Sequence, residues 1–306
     1  MKKVCYTIDT EGDAPSNIFS TYFGIELVLP KILDLFELHD VKATFFIQED
    51  MSVKIGSQYP TLLEKIQDGG HEIGYHAHGL VGSNLAKQEE IITSGIKKLR
   101  DMGYKIESFR AERYHFDAQI LKILEKNSIK YDSSVIPDLN EIVNNEEWNN
   151  HIGAPHQPYF PSYEDHRKKG SSKILEIPIS RIRNAGSSFG GILEGWRTSE
   201  KDLFKYFYKN IDDQIIIISI HPWHGLSNLF GMYRRKQELL KKKRYAIITK
   251  ILGSGLGFSN QLINRKYFEG FSDFIKYISE KDIKYVPIKL AGNAWKKSFR
   301  TEKSLN

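Results

Sequence analysis

Segments with the two-residue alternation of a β-strand recur along this chain, and segments of helical spacing separate them. Residues 3–9, KVCYTID, send Val4, Tyr6 and Ile8 one way and Cys5, Thr7 and Asp9 the other, which predicts a strand. Leu29, Ile32, Leu33 and Phe36 then predict a helix over 25–38. Further strands are expected at 42–47, 71–78, 107–110, 130–133, 174–180, 214–220 and 283–288. Helices are expected at 60–67, 87–102, 116–125, 199–209 and 267–279. Such alternation makes parallel strands joined by crossover helices. The run Ile215–Ile218 is apolar on both faces, as a strand buried on both sides should be.

A chain of 306 residues suits one domain of this class, and no repeat or linker divides 1–306. The hydrophobic and charged fractions, 40% and 27%, are globular values. A single cysteine, Cys5, excludes an intrachain disulfide framework. After Met1-Lys2-Lys3 no apolar stretch follows, because Asp9, Glu11 and Asp13 arrive at once. The expectation is a soluble, cytoplasmic protein. Residues 135–170 break the alternation and carry Trp148, His151, His156, Pro158 and Pro161, the pattern of an ordered flap or insertion near a site. The net charge of +6 is concentrated in residues 233–244, YRRKQELLKKKR, inside a basic helical excursion at 231–265. A solvated helical face is the first reading, with peripheral contact to the inner membrane surface as the alternative use. No nucleic-acid motif accompanies it, so no nucleic-acid partner is expected.

The ionisable residues share one location. Asp9 and Glu11 end the first strand, His76 and His78 the third, Arg110 the fourth and Asp132 the fifth. His221 follows the all-apolar strand. The carboxyl ends of strands are where α/β barrels and open α/β sheets put their chemistry. His76 and His78 lie two residues apart, on one face of a strand, and can bind one metal ion. Two imidazoles, a carboxylate and an open position make a hydrolytic metal site. One of Asp9 and Glu11 would be the ligand and the other the general base. His221 would protonate the leaving group, with His224 as its rival. Arg110 would keep a carboxylate ionised, and Asp132 would pair with His221.

In these motifs the chain resembles the polysaccharide deacetylase family, of the NodB-homology or carbohydrate esterase 4 type. Residues 7–11, TIDTE, look like the family's first motif and residues 70–78 like its histidine motif. Residues 109–114, FRAERY, are similar to the third, 131–134 to the fourth and 219–222 to the fifth. The resemblance implies a distorted (β/α) barrel and a divalent metal, often zinc. It also implies hydrolysis of an N-acyl group, expected to be N-acetyl, from an amino sugar of a cell-surface glycan or its cytoplasmic precursor. By this resemblance Asp9 is the base, Glu11 the ligand, Arg110 the residue that orients Asp9, and His221 the acid. Two positions depart from the family pattern. The first motif usually has adjacent aspartates, and here Thr10 separates Asp9 from Glu11. The second histidine usually stands four residues after the first, where this chain has Leu80, so His78 is taken as the ligand. A deformylase or another amidohydrolase, and a barrel that binds glycan without catalysis, are the competing functions.

Overall fold

The computed structural model describes residues 2–13, 22–51, 56, 58–143, 146–181, 215–226, 263–281 and 283–305. Strand β1 (Lys2–Thr10) leads through a π-helical turn at Gly24–Val28 into helix α1 (Leu29–Leu38). Then come β2 (Thr44–Ile47), α2 (Gln58–Asp68), β3 (Glu72–Ala77), α3 (Leu85–Asp101), β4 (Ser108–Ala111), α4 (Ala118–Lys126) and β5 (Tyr131–Asp132). A hairpin of β6 (Asn140–Val143) and β7 (Glu146–Asn150) precedes β8 (Leu175–Glu176) and β9 (Ile215–Ile220). Helix α5 (Arg265–Ser279), β10 (Ile283–Tyr285) and α6 (Ile288–Leu305) follow.

Eight of these strands form one parallel sheet with the neighbour order β10-β1-β2-β3-β4-β5-β8, and β9 also pairs with β1. β9 runs along Lys3–Ile8 of β1, so β10 and β2 must share the other edge of β1, at Lys2–Val4 and Thr7–Thr10. Beyond β8, Pro178 has no N–H to give a ladder. The chain shifts there, and Ser180 N–H donates to the Ile217 carbonyl of β9 at 3.3 Å while Ile217 N–H donates to Ser180 Oγ at 3.0 Å. The sheet thus curls round from β8 to β9. This is a distorted (β/α) barrel with helices packed outside. Both faces of β1, β2 and β9 are buried, which explains their apolar runs. Gly74 of β3 is required by space. A Cβ there would meet the Phe46 ring at 2.8 Å, and that ring lies under the Arg110 guanidinium, 4.3 Å from its centroid.

Three segments differ from the sequence expectation. The last strand ends at Tyr285, because Pro287 opens α6, whose first N–H groups are held by Thr44 and Glu72. Only Leu175–Glu176 of the 174–180 segment is regular strand, since Pro178 interrupts it. The 135–170 flap contains an antiparallel hairpin with an irregularity at Glu141/Ile142. The helix expected at 199–209 and nearly all of the basic 231–265 excursion, 233–244 included, lie outside the described residues. No helix among the described residues is long and apolar enough to cross a membrane.

His151 fastens the base of the hairpin. Its Nδ1 accepts the Ile136 N–H at 3.1 Å, and its backbone bonds to Asp138 and Leu139. Burial first, and the neighbouring His166 second, push its pKa down to about 3; burial pushes that of His166 down to about 4. Both values lie below the unfolded value of about 6.5. Their stabilisation is therefore complete above about pH 6.5 and is lost as pH falls toward 3. We predict that the denaturant midpoint drops between pH 7 and 4.5, with His151 contributing ~2–3 kcal/mol of the loss. His151→Asn, which keeps an acceptor for Ile136 but does not titrate, should show a shallower drop. Equal slopes in both proteins would show that His151 is not the sensor.

Candidate active site

Alternation along β1 points Thr7 and Asp9 to the same side, into the barrel, and both meet Arg110 of β4. Arg110 is fully buried. Its Nη1 donates to Asp9 Oδ1 at 2.7 Å and to Thr7 Oγ1 at 2.9 Å, and reaches Ser219 Oγ of β9 at 3.4 Å. Its Nε and Nη2 donate to the carbonyl and hydroxyl of Ser133 at 2.8 and 3.0 Å. The buried guanidinium is therefore matched by Asp9 and by neutral oxygens of β1, β9 and the end of β5.

Glu11 lies two residues on, just past the strand, and faces His76 and His78. Their ligand atoms fall within 4.8 Å of one another. The tautomer of His76 can be assigned. Its Nδ1 stands 3.1 Å from the Arg110 carbonyl, which only accepts, so Nδ1 carries the proton. Its Nε2 lone pair then points at Glu11 Oε2, 3.2 Å away. His78 Nε2 lies 2.5 Å from the same oxygen without a well-directed hydrogen bond. The Nε2 atoms of both imidazoles thus converge on one carboxylate oxygen, and a positive charge placed among the three groups satisfies them together. A proton supplies that charge in the bare site. Burial opposes charging His76, but the charges of Asp9 and Glu11 outweigh it and raise its pKa. Burial would raise the pKa of Glu11; the neighbouring His76 and His78, once charged, overcome it and hold the carboxyl well below the usual range. A divalent ion supplies the charge equally well. Two imidazoles and a carboxylate fit zinc in number and type.

His221 approaches from the opposite wall, with Nε2 3.6 Å from Asp9 Oδ2 and 3.5 Å from Glu11 Oε1. Trp223 lies against its ring, centroids 4.2 Å apart. His224, the rival acid, is engaged in the turn itself. Its Nδ1 accepts the N–H of His221 at 3.2 Å, which fixes the turn at Pro222–Gly225.

Asp132 does not meet His221, contrary to the sequence expectation. β8 lies beside β5, and Asp132 is in register with Glu176. The two carboxyls face each other there, fully buried, and Ser134 donates to Asp132 at 2.7 Å. Burial first raises the pKa of each, and in Glu176 the charge of Asp132 raises it further. Asp132 therefore belongs to the packing beside Arg110. Leu80, at the family's usual histidine position, is wholly buried in the core, whereas His78 is turned toward Glu11.

Sequence reasoning overlooked Glu112 and Glu176. Glu176 had a signal, as the one charge in the apolar run ILEIPI. Glu112 begins a turn in which Arg113 and Tyr114 take positive φ, 48° and 61°. Such a backbone costs a non-glycine residue roughly 1–2 kcal/mol. It persists because Glu112 is tied to Leu80 and Val81, and the Asn149 side chain of the flap donates to the Arg113 carbonyl at 2.8 Å.

Residues 13–131 match the family model described as polysaccharide deacetylase. Over those residues the chain is similar to polysaccharide deacetylases. That match contains the histidine strand and the arginine turn. Asp9, Glu11 and His221 stand outside it and join the site through the fold. Over 130 residues, 40% of this chain, the sequence is 30% identical to a peptidoglycan deacetylase from Helicobacter pylori. The alignment covers 42% of that relative, so the chain spans less than half its length. A polysaccharide deacetylase structure from Mycobacterium smegmatis has a TM-score of 0.62 at 15% identity, covering 97% of this chain and 91% of that one. A carbohydrate esterase 4 family pseudoenzyme from Bacillus anthracis has a TM-score of 0.50 at 14% identity, covering 95% of this chain and 65% of that one. The fold is thus shared with a protein described as a pseudoenzyme, and activity must be argued from side chains.

The placement of Leu80 gives a direct test of the ligand set. His78→Ala should lower zinc affinity at least ~10-fold, as expected when one ligand of a three-residue site is removed. Leu80→His should lower the melting temperature by burying a polar group, without tightening zinc. A gain in affinity for Leu80→His, with none lost in His78→Ala, would return the ligand to position 80.

Proposed function

We propose that this protein is a metal-dependent hydrolase that removes an N-acyl group, N-acetyl in the first instance, from an amino sugar of a glycan or its precursor. The observation that carries this reading is the separation of two carboxylates at one strand end. Asp9 is held by a buried arginine, while Glu11 is turned to two histidines whose Nε2 atoms converge on it. Glu11, His76 and His78 would hold a divalent ion, zinc by preference. When bound, such an ion lowers the pKa of its water and polarises the acyl oxygen.

The chain's own residues divide the remaining work. Arg110 occupies Asp9 Oδ1 and leaves Oδ2 to accept the proton of the attacking water. His221 stands across the site from the histidine strand, positioned to pass a proton to the departing nitrogen. An amine leaves poorly unless protonated, so the pair Asp9 and His221 suits an amide better than an ester. Trp223 lies tilted against the His221 ring on that side. A purely glycan-binding barrel would have no need for a base and an acid facing each other across a ligand set. The acyl group is decided by product: acetate release from N-acetylated sugars supports the proposal, and formate release from N-formylated sugars alone would make the protein a deformylase.

Two substitutions test the division of labour. Asp9→Asn should retain zinc and lose about 10²–10⁴ in turnover, the usual cost of a general base. His221→Ala should slow amide substrates much more than an ester with a good leaving group. A loss below tenfold in Asp9→Asn, or equal slowing of amide and ester in His221→Ala, would remove the corresponding role.

A further inference from the structure

His76 and His78 are held very differently. The His76 ring is buried and locked by the Arg110 carbonyl. His78 stands one residue beyond β3 with a side chain 26% exposed, and no backbone carbonyl holds its ring among the contacts of the described residues. If Nε2 gives its lone pair to an ion, the proton of the neutral ring sits on Nδ1 and needs an acceptor. The carboxylate behind Nδ1 is Glu112, with Oε2 at 3.7 Å. The gap exceeds a hydrogen bond by about 0.8 Å, which a small ring rotation closes.

Glu112 is itself well anchored. Its other oxygen, Oε1, accepts the N–H groups of Leu80 at 2.6 Å and Val81 at 3.1 Å. One carboxylate thus grips the loop after His78 with one oxygen and faces the His78 ring with the other. We infer that Glu112 is a positioning residue for metal binding, orienting His78 so that Nε2 points at the space shared with Glu11 and His76. Carboxylates that accept from the far nitrogen of a ligating histidine fix its tautomer and raise its basicity, and their loss typically costs about 10–100-fold in metal affinity. The change from a histidine to Leu80 then has a counterpart. The second ligand stands instead at the half-buried His78, and Glu112 supplies the orientation that full burial would otherwise give.

This inference rests on the metal reading of the site. It is tested by titrating the metal-free full-length protein with zinc against a competing chelator, and by measuring melting temperature alongside. Glu112→Gln keeps an oxygen for Leu80 and Val81 but removes the charge behind His78. Its zinc affinity should fall 10–100-fold with little change in melting temperature. Two control substitutions distinguish that charge from loop anchoring and from the general field of nearby carboxylates. Gln88→Ala loosens the same loop from the opposite side, since Gln88 Nε2 donates to the Leu80 carbonyl at 3.2 Å. Glu49→Gln removes another carboxylate whose charge reaches His78. Both should bind zinc within about threefold of the unaltered protein, well short of the cost of a lost orienting carboxylate. Unchanged affinity in Glu112→Gln, or an equal loss in either control, would overturn the inference while leaving the site intact. If the unaltered protein takes no zinc, or His76→Ala takes it as tightly, the metal reading falls and the inference falls with it.

Discussion

The buried ion pair between Arg110 and Asp9 is the constraint from which the site follows. A guanidinium in a dry interior is tolerated only when a counter-charge and its remaining hydrogen bonds are supplied. Here β1 gives Asp9 and Thr7, β9 gives Ser219, and the end of β5 gives Ser133. Phe46 of β2 closes the face of the guanidinium. Breaking such a pair leaves a buried charge alone, at a cost of about 3–5 kcal/mol. β1, β4, β9 and the end of β5 are therefore obliged to keep their relative positions, and β1 and β9 carry Asp9, Glu11 and His221 at or just past their ends.

The same pair separates the roles of two chemically similar carboxylates. Asp9 is drawn into the barrel by Arg110. Glu11, two residues along and past the last ladder bond, stays at the surface of the sheet end, where the histidines are. Environment rather than residue type assigns one to proton transfer and the other to ligation, as in other sites built from two carboxyls. Asp132 and Glu176 extend this arrangement on the far side of Arg110. Their raised pKa values follow from burial and from facing each other, so the interior does not accumulate an unmatched negative charge.

The strands and their facing residues were legible in the sequence because period-two alternation in β1 and the histidine strand fixes which side chains share a face. That sufficed to bring Asp9, Glu11, His76, His78, Arg110 and His221 together. Pairing across the sheet was not legible. Asp132 was assigned to His221 because both end strands on one face; the neighbour order, which sets Glu176 beside Asp132, is a property of the folded sheet. The hairpin of β6 and β7 escaped notice because NEIV and EEWNN are polar and lack alternation, its stability coming from contacts to the turn after β4. Helix α6 was not expected at all, and Pro287 at its start was read as part of the last strand. Glu112 gave no local signal, since its importance arises from a loop thirty residues earlier in the chain.

The central claim is that one ion is held by Glu11, His76 and His78 while Asp9 remains with Arg110. A crystal structure of the zinc-loaded protein, with anomalous scattering recorded on both sides of the zinc edge, tests it most directly. The expected result is one peak within about 2.0–2.2 Å of a Glu11 oxygen and of Nε2 in both histidines, with Asp9 unligated. A peak bonded to Asp9, or one that leaves His78 out of the coordination sphere, would contradict it.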